Sequence, residues 1–216
     1  MKQSRLKTGL GSWALKLRDR YKMVRAAISE PHVAGMLAND QIAGQLIVGL
    51  CPPGGVFLDI GAHIGSVSAE VLRAQRDATV HAFEAIPAKA EKLIQAFPKV
   101  QMHTCALAGE VGTADFFIHP TESGYSSLRA DDTSGMQRIQ VELRKLDDEI
   151  PEGPVDAIKI DVEGAELDVL QGGQELLRRT QPVIMFESGP AADDAEQERR
   201  VAIWQLLGGL GVQVLV

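Results

Sequence analysis

Thiols are scarce in this chain. Its 216 residues include two cysteines, Cys51 and Cys105, far apart and in no C-x-x-C pattern. That argues against a redox pair and reads as two small buried apolar residues in a reducing compartment. Long apolar runs are absent too. The greasiest stretch, Ile42–Cys51, is too short to span a bilayer and is interrupted by Gln45. The N-terminus opens with basic residues, but no apolar segment of signal-peptide length follows, so a cytoplasmic location is expected. The histidines, at 32, 63, 81, 103 and 119, are scattered without ligand spacing such as H-x-x-x-H. No metal centre is therefore expected. A divalent ion shared by Asp161 and Glu187 would have only those two candidate ligands. Internal repeats and low-complexity tracts are absent as well.

What remains is an ordinary globular balance, with 45% hydrophobic and 24% charged residues. The length suits one α/β domain with a full core and is short for two. A net charge of −7 argues against a nucleic-acid-binding body, although the charge is uneven. Residues 1–25 hold eight basic residues against the single acid Asp19, a local charge of +7 that leaves −14 on the rest. Such an arm either docks weakly on an anionic membrane surface or is a solvated helix face. Residues 1–50 read as a helical N-terminal segment. Pro31 breaks it and Pro52-Pro53-Gly54-Gly55 closes it, leaving 51–216 as the domain that carries chemistry.

The run Val56-Phe57-Leu58-Asp59-Ile60-Gly61-Ala62-His63-Ile64-Gly65 is a buried strand entering a glycine turn. Ile64, Val67, Val71 and Leu72 then follow with the spacing of an amphipathic helix. Strand, tight turn and helix N-terminus make the cofactor-binding corner of a doubly wound α/β sheet. A dinucleotide site wants G-x-G-x-x-G, whose middle glycine lets backbone close on a pyrophosphate. Here His63 stands in that place, and Asp59 would repel a phosphate. An acidic strand end suits a cofactor that presents a cation and no phosphate, which describes S-adenosylmethionine. Glu84 falls 19 residues after Gly65. An acid near that spacing accepts hydrogen bonds from the ribose hydroxyls of an adenosine cofactor.

Beyond the turn, strand and helix patterns alternate, which predicts a Rossmann-like, mostly parallel sheet. Strands are expected at 56–60, 79–84, 100–104, 155–161 and 182–187. Helices are expected at 64–75, 87–96, 163–179 (interrupted by Gly172-Gly173) and near 195–208. Residues 211–216 read as the start of one more strand. An insertion breaks the alternation: Ala114–Ile118 and Arg138–Leu143 predict a β-hairpin around the polar segment His119–Gln137. With Tyr125, Ser126 and Ser127, that segment is either a lid or acceptor-binding element, or a surface hairpin.

A second dense stretch is Ile158-Lys159-Ile160-Asp161-Val162-Glu163-Gly164-Ala165-Glu166. Strand alternation puts Lys159 and Asp161 on one face, with Asp161 at the carboxyl end where open α/β sheets bind ligands. Glu163 and Glu166 fall at the following helix start, where the helix dipole favours acids. Glu187 ends the neighbouring strand. Asp161 is the leading candidate for a catalytic base, with Lys159 beside it and Glu163 and Glu187 at the same rim.

These motifs, with Ala82-Phe83-Glu84, Leu146-Asp147-Asp148, Leu170-Gln171-Gly172 and Phe186-Glu187, resemble the FkbM family of S-adenosylmethionine-dependent methyltransferases over roughly 45–190. The resemblance implies that Asp59, Gly61 and Gly65 line the methionine end of the cofactor. Glu84 would hold the ribose, and Cys105-Ala106-Leu107 would lie by the adenine. Asp161 is a further candidate at the methionine ammonium, and His63 stands where the family often has Asn. The resemblance further implies a sheet ending in an antiparallel hairpin, and methylation of a hydroxyl on a sugar or secondary-metabolite acceptor. Two rivals remain. A non-catalytic cofactor-binding relative keeps the same motifs, whereas an NAD-dependent oxidoreductase is disfavoured by the missing glycine. Neither the acceptor nor the oligomeric state is legible.

Overall fold

A computed structural model of the chain describes residues 42–119, 128, 135–186 and 193–212. The basic segment 1–25, Pro31, the hairpin residues Tyr125, Ser126 and Ser127, Glu187 and residues 213–216 of the expected last strand lie outside them. The compact unit that holds the sheet runs from Ile47. It takes in the end of a helix, α1, over residues 42–50, because Ile47 and Val48 are buried with Phe57, Val71 and Val80.

The main sheet has five strands: β1 (Val56–Ile60), β2 (Thr79–Phe83), β3 (Gln101–His103), β7 (Ala157–Ile160) and β8 (Val183–Phe186). All pair in parallel in the order β3-β2-β1-β7-β8. Helices α2 (Ser66–Ala74), α3 (Pro87–Ala96), α5 (Glu166–Gln171), α6 (Gln174–Thr180) and α7 (Asp194–Gly209) make the connections and the cover. Period-two alternation divides β1 between two cores: Leu58 and Ile60 join Ile158, Ile160, Leu170 and Leu177, whereas Phe57 joins Val71 and Val80. Burial on both faces is what a parallel sheet requires, and all four residues of β7 are buried. The chain leaves β1 toward β2 and returns on its other side at β7. The crevice at the carboxyl ends of β1 and β7 is therefore the ligand position for this topology.

The expected hairpin is present and longer than anticipated, as β5 (Gly112–Ile118) and β6 (Gln137–Arg144). A two-residue strand, β4 (Ala106–Leu107), pairs in parallel with β6 and makes a second, three-stranded sheet. This element was not anticipated. Residues 100–104 were expected as one strand, but the strand is shorter and its continuation crosses to the other sheet. Two helix starts also differ from expectation. Helix α2 begins at Ser66 because His63 and Gly65 have φ of 53° and 75°. Helix α5 begins at Glu166 because Glu163 and Gly164 have φ of 52° and 93°. Left-handed backbone ends a helical repeat whatever the side-chain pattern suggests. A short helix, α4 (Leu146–Glu149), follows β6. The acid of Leu146-Asp147-Asp148 has a structural task there: Asp147 accepts from the N–H groups of Glu175 and Leu176 at 3.1 and 2.7 Å and caps α6.

Candidate active site

A cleft runs along the carboxyl ends of the strands, where open α/β sheets bind their ligands. Ile60 and Gly61 line it from the end of β1, Phe83 and Glu84 from β2, Cys105–Leu107 from the link beyond β3, and Asp161–Glu163 from β7. The hairpin sheet supplies Phe116, which packs with Ile86 and Ala106. Leu128 completes this apolar side of the cleft.

Glu84 stands one residue beyond the end of β2 and is 6% exposed. Its Oε2 accepts the His63 N–H at 2.9 Å and its Oε1 accepts the Ile86 N–H at 2.9 Å. A carboxylate has about four lone-pair positions. Two backbone donors hold the group in place and leave acceptor capacity on a cleft-lining side chain. Burial raises its pKa, opposed by the Ile86 and His63 N–H groups and by the Lys89 and Lys159 ammoniums.

The amides of the turn beyond β1 are already engaged within the protein. The N–H groups of Gly61 and Ala62 bond to the Phe83 carbonyl at 3.0 and 2.9 Å, that of His63 to Glu84, and that of Gly65 to the Ala62 carbonyl at 2.7 Å. A phosphate cradle needs those donors pointed at the ligand. Gly61 is glycine for a different reason: a Cβ there would stand 1.9 Å from the Asp161 carbonyl oxygen, where β1 and β7 converge. Gly65 gives α3 room, since a Cβ would meet Leu93 and Phe97 at 2.7 and 2.8 Å.

Beneath the turn, Asp59 and Lys159 face each other in register across β1 and β7. Asp59, 1% exposed, accepts the Ser68 N–H at 3.1 Å and the Ser68 hydroxyl at 2.6 Å through Oδ2. It thereby caps α2, whose own N-cap Gly65 offers no side chain. Its Oδ1 lies 3.5 Å from Lys159 Nζ and has no hydrogen-bond partner among the described residues. Lys159 Nζ also donates to the Gly61 carbonyl at 2.8 Å and pairs with Asp161 Oδ2 at 3.2 Å. Burial disfavours the ammonium, but Asp59 and Asp161 outweigh it and hold its pKa above the usual lysine range.

Comparison with known proteins identifies the family. The Methyltransferase FkbM domain matches residues 59–214. The chain belongs to this methyltransferase family. The FkbM assignment covers the end of β1 from Asp59, the glycine turn, the hairpin insertion and the acids after β7 together. Methyltransferase 1 of Beauveria bassiana is 29% identical over 147 residues, covering 56% of this chain and 59% of that protein. The chain thus spans less than two thirds of the fungal relative. The 2-O-methyltransferase NoeI of Sinorhizobium fredii is 29% identical over 198 residues, covering 81% of this chain and 77% of NoeI. The crystal structure of Methyltransferase FkbM from Methylobacillus flagellatus KT superposes with a TM-score of 0.47 at 14% identity, covering 79% of this chain and 54% of that one.

On this FkbM scaffold the expected site residues separate into two groups. Gly61, His63, Glu84, Ala106, Asp161 and Glu163 line the cleft. Asp59, Lys159 and Gly65 are not on its wall but support it from below and behind. Lys159 and Asp161 do share a strand face, yet the lysine turns inward to Asp59 while Asp161 keeps a side chain 44% exposed. Glu187 lies outside the described residues.

Several wall residues were not anticipated: Lys89, Ile86, Phe116 and Leu128. Lys89 is singled out only by proximity, where burial lowers its pKa and the Glu84 carboxylate raises it. Cys105 is a neutral thiol on the wall, its pKa pushed up to about 12 by burial and then by Glu149. His81 and His103, expected as strand-face residues, stack on one another and bond ring to ring at 3.1 Å, and His103 reaches Glu149 at 2.7 Å. Among the described residues, no group of three potential ligands could hold a metal ion.

Proposed function

We propose that this chain transfers a methyl group from S-adenosylmethionine to a hydroxyl oxygen of a sugar or secondary-metabolite acceptor. The observation that carries the reading is Glu84, a buried carboxylate fixed by two backbone donors with acceptor capacity left on the cleft wall. That arrangement fits a ribose diol. The engaged amides of Gly61, Ala62, His63 and Gly65 fit a cofactor without a pyrophosphate, and the carboxylates of Asp161 and Glu163 fit one bearing cationic groups. Gly61, His63 and Asp161 would border the methionine end. Ala106 with Phe116 and Leu128 would cover the flat base. The name of NoeI, a 2-O-methyltransferase, supports oxygen as the acceptor atom.

When bound, S-adenosylmethionine supplies an electrophilic methyl carbon on a sulfonium leaving group. The protein's contribution is position and electrostatics, and holding two reactants in line lowers a barrier by ~7–11 kcal/mol. Asp161 takes the hydroxyl proton as the oxygen–carbon bond forms, a step contributing about 10²–10⁴-fold. Its Oδ2 is anchored to Lys159, so the carboxylate does not have to be ordered when the acceptor arrives. Glu163 is the second carboxylate at the same rim.

Calorimetric titration with S-adenosylhomocysteine and with NAD tests the cofactor, and radiolabelled methyl transfer to a cell extract tests the reaction. Binding of the first ligand alone, together with labelled product, is expected. Binding of NAD in its place would end the methyl-transfer reading. Tight S-adenosylhomocysteine binding with no transfer to any extract would make the chain a non-catalytic relative.

A further inference from the structure

Lys159 is the residue whose surroundings the proposed chemistry leaves unexplained. A lysine side chain 8% exposed in the middle of a parallel sheet is an expensive choice unless it has several partners. This one has four. Its Nζ lies 2.8 Å from the Gly61 carbonyl, 3.4 Å from the Ile60 carbonyl, 3.5 Å from Asp59 Oδ1 and 3.2 Å from Asp161 Oδ2. Two of them sit on the turn at the end of β1, one lies beneath it, and one stands on the cleft wall at the end of β7.

An ammonium has three protons and can place them in different directions. We infer that Lys159 is a positioning residue: it latches the Gly61 turn to the Asp161 carboxylate, so that the two walls bordering the methionine end of the cleft are held at a fixed separation before any ligand enters. It touches neither cofactor nor acceptor and acts through Gly61 and Asp161. The geometry also explains the requirement for lysine. Asp59 alone could be neutralised by any cation, but reaching two carbonyls and a second carboxylate needs a compact head on a long stem. Preorganisation of this kind appears as affinity, because the ordering cost is met in folding rather than in binding.

The inference rests on the cofactor reading above, and the test keeps the two apart. Lys159→Met leaves Asp59 buried without its cation, so a large drop in Tm, on the order of 10 °C, is expected from that alone. The informative variant is therefore Asp59→Asn/Lys159→Met, which removes both charges. Its melting temperature should return most of the way to wild type, whereas its Kd for S-adenosylhomocysteine should stay at least ~10-fold above wild type. Faster amide exchange at residues 61–65 in the double variant would report the loosened turn directly. A double variant that binds within about twofold of wild type would reduce Lys159 to a counter-ion for Asp59 and overturn the latch alone. Failure of the wild-type chain to bind S-adenosylhomocysteine would overturn the cofactor reading and this assignment with it.

Discussion

Asp59 and Glu84 are both buried carboxylates, on neighbouring parallel strands, and their situations diverge by the placement of a single residue. Asp59 lies within β1, in register with Ala82 on one side and Lys159 on the other, and its surroundings are entirely protein. Glu84 lies one residue past the end of β2, where protein donors occupy only part of it and the cleft takes the rest. A carboxylate inside the sheet is consumed by the fold. One step beyond the strand end it becomes available to a ligand. Position relative to the strand end, and not burial, separates the carboxylate within the sheet from the one on the cleft wall.

That contrast is breakable. Asp59→Ala should remove the cap of α2 and leave Lys159 short of a buried partner, lowering stability by about 3–5 kcal/mol. Urea unfolding measures it, and a loss below about 1 kcal/mol would deny Asp59 its structural role. On the cleft side, Asp161→Asn keeps the shape of the side chain and removes the base. Turnover should fall at least ~10²-fold while cofactor affinity changes far less. Near-normal turnover would clear Asp161, whereas lost affinity would recast it as a ligand for the methionine ammonium. Glu84→Ala should weaken S-adenosylhomocysteine binding by about 1.5–3 kcal/mol and cost the fold less than Asp59→Ala does. Equal losses of stability in the two variants would erase the distinction drawn between them.

The smallest effect comes from His81, a half-buried titratable group away from the cleft wall. Burial first, and the neighbouring His103 second, lower its pKa to about 4 from an ordinary 6.5. Between those values the unfolded chain binds a proton that the folded chain refuses, so stability should rise as pH increases from about 4 to about 6.5. His81→Phe should flatten that part of a Tm–pH curve without changing S-adenosylhomocysteine affinity at neutral pH. A change in affinity would extend the site to the β3 edge of the sheet.

Much of this was legible in the chain. Five strand segments with intervening helices, the glycine turn and the spacing to Glu84 all rest on local periodicity and turn chemistry, which a sequence displays directly. The strand face shared by Lys159 and Asp161 was visible too. Where Lys159 would go was not, because its partner Asp59 is set by the β1–β7 register and lies 100 positions earlier in the chain. Phe116, Leu128 and Lys89 were missed for the same reason, since separate elements converge on one cleft. The helix starts were misplaced because left-handed pairs delay them, His63 with Gly65 and Glu163 with Gly164, and the first member of each pair is not a glycine. Histidine is among the few side chains enriched in that backbone region. That gives a conformational reason for His63 at a turn position where the family often has Asn.

The small sheet of β4, β5 and β6 stands apart from the five-stranded one in hydrogen bonding. It nevertheless delivers Phe116 to the cleft. Part of the cleft wall is thus carried by a ribbon whose strands share no ladder with the strands that lead to Glu84 and Asp161. Such a ribbon can be lengthened, shortened or recoloured by mutation without shifting the register of β1, β2 and β7. Exchanging that hairpin between two relatives would remodel the apolar side of the cleft and leave the pairing that positions Glu84 and Asp161 intact.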